Sequence, residues 1–179
     1  MIKQRMQSAM NEQIQHELSS AYLYLAMAAD LHAKSLDGMA QWMKVQAQEE
    51  LVHAMRFYDH IVSRNGRVEL KELPKPAGEW ASPLAAFQAA YEHEQFITGR
   101  IDELVKLARE ENDNAGWTML QWFVTEQIEE ESSTSKVVDM LSLIGDSGHG
   151  LLMADRELGT RVFTPPPATG VDTANAAAG

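Results

Sequence analysis

The chain has no cysteine, which excludes disulfides, thiolate zinc sites and iron–sulfur clusters and suits a reducing compartment. Cationic side chains are scarce: 15 lysines and arginines stand against 26 acids, a formal net charge of -11. With no basic stripe to displace counterions, a nucleic-acid partner is not expected; the surplus of acid suits a protein that attracts cations. No apolar run approaches the roughly 20 residues needed to span a bilayer, and the start of the chain holds no apolar leader core. The expectation is a soluble, cytoplasmic protein with no membrane partner. Proline is confined to Pro74, Pro76, Pro83 and Pro165 to Pro167, so it breaks none of the long periodic stretches elsewhere. At 179 residues the chain is long enough for one domain with a real core.

Those stretches read as helices. From about Lys3 to Lys34, Met10, Ile14, Glu17, Ala21, Tyr24, Ala28 and Leu31 step alternately by four and three, a heptad seam. A turn at Asp37-Gly38 leads into a second helix to about Asn65, with Met39, Met43, Gln46, Glu50, His53 and Phe57 inward. So short a connection implies an antiparallel hairpin. Arg67 to Ala81 has no helical period; about 15 residues can extend over roughly 50 Å, longer than the second helix at about 40 Å. The third helix can therefore run parallel to the second, after one long crossover. Ser82-Pro83 signals its start, and Leu84, Phe87, Tyr91, Glu94, Thr98, Ile101, Val105 and Ala108 form its seam. A fourth helix, about Ala115 to Ile144, turns Leu120, Phe123, Gln127, Glu130, Thr134, Val137 and Leu141 inward. A short fifth helix spans about His149 to Thr160. The expected fold is all-α: a four-helix bundle over residues 1–163, followed by a flexible Pro/Ala-rich tail over 164–179.

Most acids on long helices are solvated, but Glu17, Glu50, Glu94 and Glu130 each fall on an apolar seam. An unpaired buried carboxylate there costs several kcal/mol, and no lysine or arginine shares those seams near that depth. Glu17 precedes Glu50 by as many residues as Glu94 precedes Gln127. Each half thus offers a lone acid and then a pair at i, i+3: Glu50 with His53, and Gln127 with Glu130. Two divalent cations would neutralise the four acids, with His53 neutral and ligating. Protonated or outward-turned acids are the bland alternative. Oxygen ligands with one imidazole suit iron(II), manganese or zinc, among which sequence does not choose. One cation would sit on Glu17, Glu50 and His53 and the other on Glu50, Glu94 and Glu130, with Glu50 bridging. The second position lacks an imidazole and should be weaker, which favours turnover of metal; Gln127 could donate a hydrogen bond to bound oxygen or water.

In order and spacing, Glu17, Tyr24, Glu50, His53, Glu94, Gln127 and Glu130 resemble the ferroxidase pattern of non-haem bacterial ferritins, and the resemblance extends over about Met1 to Phe163. It implies a ferritin-like bundle with a short fifth helix, and a ferroxidase that oxidises iron(II) with O2 or H2O2 at a di-iron centre. It further implies a homo-oligomeric cage of about 24 subunits that stores ferric mineral. It suggests a third iron position on Glu49, Glu126 and Glu129, whose spacing also describes a solvated acidic edge. It assigns Tyr24 and Trp122 as aromatics that could supply electrons, where packing alone would explain them equally. Bacterioferritins carry a haem-ligating Met after the bridging Glu and a Glu-x-x-His on the fourth helix; Leu51 and Gln127 through Glu130 occupy those places, so haem is not expected. Rubrerythrin-like peroxidases need a cysteine-ligated iron. His16, His32, His60, His93 and His149 have no matched partners and read as surface or packing. Two other readings remain: a di-iron or di-manganese oxidase acting on a small organic substrate, and a plain helical interaction protein. The run Tyr22 to Ala29 is apolar all round, as is the region of Trp117, Leu120, Trp122, Phe123 and Val124, so another subunit is expected over the outer face.

Overall fold

The computed structural model describes residues 1–165 as five helices: α1 (Gln4–Ala33), α2 (Asp37–Ser63), α3 (Pro83–Glu110), α4 (Asn114–Ile144) and α5 (Gly148–Leu158). There is no strand among the described residues. The tail expected from residue 164 lies, apart from its first two residues, outside them.

The buried apolar residues fall into two clusters, and their order along each helix fixes the topology. One cluster holds Met6, Met10 and Ile14 of α1, Phe57 and Ile61 of α2, Ile97 to Ala108 of α3, and Leu120 and Phe123 of α4. The other holds Tyr24 to Leu31, Met39 to Ala47, Phe87 and Ala90, and Val137 and Leu141. The chain passes from the first cluster to the second in α1, back in α2, in that same returning sense in α3, and out again in α4. Helices α2 and α3 are therefore parallel, as the long crossover allows.

The crossover is tied to α1 along its length. Gln7 Oε1 accepts from Arg67 N at 3.0 Å, the Asn11 amide bonds Arg67 O at 3.0 Å and Glu69 N at 2.9 Å, and Asp30 Oδ2 accepts from Trp80 N at 3.2 Å. These side chains satisfy backbone groups that have no ladder of their own.

The ends follow local chemistry. Ser82 caps α3 through Ala85 N at 3.0 Å with Pro83 in the first turn; Asp113 caps α4 through Gly116 N at 3.1 Å; Ser147 caps α5 through Gly150 N at 3.1 Å. The first turn differs from expectation. Ser35, at φ 58, makes the left-handed step, and Asp37 and Gly38 already belong to α2. The α2 start has no cap of its own and takes one from α5, where Asp155 Oδ1 accepts from Met39 N at 2.8 Å.

The α3 seam is also shifted. Phe87, Glu94, Ile101 and Ala108 are buried as expected, but Ala90, Ile97 and Leu104 fill the alternate positions, while Tyr91, Thr98 and Val105 are half-buried. A helix offers two neighbouring lines for those alternate steps, and the packing partner selects one. The apolar runs divide likewise: Leu120 and Phe123 are core, whereas Tyr22, Leu25 and Trp117 face outward.

Gly38 is where α5 meets α2: a Cβ there would collide with the Asp155 carbonyl oxygen. That obstacle is backbone and cannot swing aside. Gly38→Ala is expected to cost roughly 1–3 kcal/mol and to speed amide exchange in α5, as read by denaturant unfolding and hydrogen exchange. Gly99→Ala, with nothing within 4 Å of the added carbon, should instead be stabilising by about 1 kcal/mol. Equal effects at the two positions would contradict the account of the junction.

Candidate metal centre

Between the two apolar clusters lies a polar belt, one level on each of the four long helices. Glu17, Glu50, Glu94 and Glu130 are all buried, together with Gln13, Ser20, Gln46, His53, Gln127 and Thr134. Each acid sits where its heptad seam passes from one cluster to the other, so the periodicity that builds the core also carries the carboxylates inward.

The acids crowd one another. Ligand atoms of Glu17, Glu50 and His53 lie within 4.8 Å of one another, and so do those of His53, Glu126 and Glu130. His53 stands between the groups, with Nδ1 3.4 Å from Glu50 Oε2 and Nε2 3.9 Å from Glu126 Oε1. Glu94 is held differently. Tyr24 donates its hydroxyl hydrogen to Glu94 Oε1, and Gln127 Nε2 donates to Glu94 Oε2 at 3.2 Å. Gln46 Nε2 donates to Glu130 Oε2 at 2.6 Å and to Glu50 Oε1 at 3.3 Å. Gln13 donates to Glu17 Oε1 at 2.9 Å, while Glu17 Oε2 is buried with no hydrogen-bond partner.

Among the described residues no lysine or arginine forms an ion pair with any of these four acids. Burial and mutual repulsion therefore outweigh the opposing hydrogen bonds and the nearby His53. The Glu17, Glu94 and Glu130 carboxyls are each pushed up from the ordinary 4.5 to about 8, by desolvation first and then by a neighbouring glutamate. Glu50 is raised by the same causes, with Glu130 the main neighbour. Burial also raises the Tyr24 hydroxyl well above its usual value, with the Glu94 charge adding to it. An orphaned carboxylate oxygen, four acids and one imidazole with no counter-charge fit hard or borderline divalent cations.

The expected first set, Glu17, Glu50 and His53, is gathered as one group. Glu130 of the second set is grouped instead with His53 and Glu126, and Glu94 is engaged by Tyr24 and Gln127. Of the three acids suggested for a third position, Glu126 faces His53, Glu49 pairs with Arg161, and Glu129 is exposed. Trp122 packs edge-on to His53 at 5.5 Å, with the Arg56 guanidinium 3.7 Å above its ring. Several histidines have partners that spacing did not reveal: His93 with Ser20 Oγ at 2.7 Å, His32 with Asp37 at 2.7 Å, and His60 with Arg64 at 3.2 Å. Gln13, Gln46 and Arg161 are the contributors that sequence reasoning missed. Gln46 stands on the inward α2 seam one turn before Glu50, a signal that could have given it a role; Arg161 lies in coil and gives no periodic signal.

Comparison with known proteins gives one answer. The family described as Ferritin, ferritin-like domain, matches residues 7–144. The chain is similar to the bacterial non-heme ferritin of Bacteroides fragilis (37% identity over 161 residues, 90% of this chain and 100% of the relative). It is also similar to that of Escherichia coli O6:H1 (38% over 160 residues, 89% and 97%). Among solved structures it is similar to an open-pore ferritin from Archaeoglobus fulgidus, with TM-score 0.90 and 48% identity over 90% of this chain and 100% of that one. An engineered closed form of the same archaeal ferritin gives TM-score 0.91 and 49% identity over 92% and 100%.

The raised carboxyls link proton binding to folding. Between the ordinary 4.5 and about 8 the native chain holds protons that the unfolded chain has released, so the contribution of these groups to stability falls as pH rises through that window. After chelator treatment, the denaturant midpoint is expected to drop from pH 5 to pH 8. Glu94→Gln should flatten the drop, and zinc(II) should abolish it. An unchanged pH slope in the Gln variant would sink the assignment.

Proposed function

The chain belongs to the ferritin family through its ferritin-like domain, and from that membership we propose that it stores iron as a ferroxidase. Two iron(II) ions bind as substrate within one subunit, are oxidised by O2 or H2O2, and pass into ferric mineral inside a hollow multi-subunit cage. The observation that carries this reading is the belt of four buried acids on four helices with no lysine or arginine paired to them among the described residues.

In this reading Glu17, Glu50 and His53 hold one iron(II), Glu94 and Glu130 hold the other, and Glu50 is shared. Each iron gives up one electron. The pair together reduces O2, with two protons, to H2O2, or reduces H2O2, with two protons, to two waters. The chain lowers the barrier by holding the two ions close together and by cancelling their charge with carboxylates already desolvated. Gln127 Nε2, which reaches Glu94, is placed to donate to oxygen or water at the second position, and the Tyr24 hydroxyl orients the same carboxylate. Glu126, half-buried beside His53, forms with Glu49 and Glu129 our candidate third iron position. Phe57 and Phe123 stack with centroids 4.3 Å apart and are fully buried, which fills the space an organic substrate would need.

We further propose a homo-oligomeric cage of about two dozen subunits without haem, working in the cytoplasm. Exposed Tyr22 and Leu25 on α1, at 47% and 50%, supply an apolar face for a second copy. The residue after the shared acid is Leu51, which is no haem ligand. No helix among the described residues is long and apolar enough to cross a membrane.

Iron(II) added in air to chelator-treated protein is expected to leave more than two irons per chain in a large particle, read by metal analysis and light scattering. Retention that stops at two would point to a resident cofactor and against storage. His53→Ala and Glu130→Ala are each expected to slow initial oxidation by on the order of 10-fold or more, since even outer partners of a metal site cost that much. Unchanged initial rates would remove these residues from the centre.

A further inference from the structure

We propose that Arg161, in the coil after α5, is a positioning residue for the centre, acting through Gln46; the proposal rests on the metal reading of Glu50 and Glu130. Three contacts fix the guanidinium. It lies over the Trp42 ring with Cζ 4.3 Å from the centroid, donates from one nitrogen to Gln46 Oε1 at 2.9 Å, and donates from another to Glu49 Oε2 at 2.5 Å. Gln46 is fully buried and spends its amide hydrogens on Glu130 Oε2 and Glu50 Oε1. The relay runs from the coil after α5 to two acids of the belt in two hydrogen bonds.

The chemistry makes the relay directional. A glutamine amide has one accepting and one donating end of nearly equal shape, and its environment decides which way it faces. A guanidinium can only donate. Arg161 therefore binds the carbonyl end, which commits the NH2 end to the carboxylates. That commitment has two effects: each acid keeps one oxygen tied to the amide and the other free to face a cation, and Gln46 Oε1 is withheld from competing as a ligand.

The charge of Arg161 would by itself repel cations, but its partner Glu49 offsets it at close range. Orientation therefore outweighs repulsion, and the relay favours cation binding. The same contacts explain why α5 must dock closely at Gly38 and Gly159, where Cβ atoms would strike backbone across the junction: a displaced α5 would carry Arg161 away from Gln46.

Zinc(II) and cobalt(II) binding to chelator-treated, assembled protein test this without oxidation. In the wild type, two cations per chain are expected at the four-acid belt, in two unequal steps. Arg161→Gln should weaken the weaker step, whose Glu130 takes the shorter Gln46 bond, about 10-fold, weaken the stronger step less, shift the visible bands of cobalt(II), and leave particle size unchanged; Arg161→Lys should restore part of the loss. Gln46→Leu should give a similar loss, and Arg161→Gln in that background should add nothing further. Unchanged or tighter binding in Arg161→Gln, or additive losses in the double variant, would overturn the relay. A wild type that binds no pair of cations would instead overturn the metal reading on which it rests.

Discussion

Four carboxylates held out of water without a cationic partner are the constraint on which the rest of the structure depends. In a bundle of this size each such group costs several kcal/mol when ionised and alone. The chain meets the cost partly by hydrogen bonds from Gln13, Gln46, Gln127 and Tyr24, and partly by keeping protons at pH values where an exposed glutamate would have lost them. The hydrogen bonds leave an ionised carboxylate charged, and protonation neutralises it only below about pH 8. The apolar clusters above and below supply the stability that lets the belt stay strained, and in the proposed function a doubly charged ion would relieve the strain by binding. Stability and substrate affinity thus draw on one source: what is unfavourable in the folded chain alone becomes favourable once the ions arrive.

Much of this could be read from residues in order. Four inward acids on four seams, with matched offsets between the halves, located the buried acid belt, and proline placement located the crossover. What escaped was whatever periodicity does not encode. On α3 the choice between Tyr91, Thr98, Val105 and Ala90, Ile97, Leu104 depends on the neighbouring helix, because both lines flank the same heptad stripe. Ser35 makes the first turn because the left-handed step falls before Asp37, although Asp-Gly is the stronger local turn signal. Arg161 reaches Gln46 across most of the chain's length from a segment with no regular structure, and only tertiary packing brings the two together.

The fifth helix illustrates how little apolar area can matter when polar geometry is well placed. Only Ala154 and Leu158 of α5 are buried, yet α5 supplies the missing N-terminal cap of α2 and introduces the residue that fixes Gln46. Both contacts act on α2, the helix that contributes Glu50 and His53. Its start is capped from outside by Asp155, and its middle is gripped by the guanidinium, so the helix that carries the proposed shared acid and the imidazole is restrained by elements beyond the bundle.

The crossover has a different consequence. Because it is the sole covalent link between two antiparallel hairpins, the proposed ligands are partitioned between them: Glu17, Glu50 and His53 before it, Glu94, Gln127 and Glu130 after it. The stretch around Lys75 to Glu79 is largely exposed, so a protease could sever it there without touching either half. The two fragments would then be complementary jaws, and divalent ions, gripped from both sides, would become the clasp that the peptide bond no longer provides.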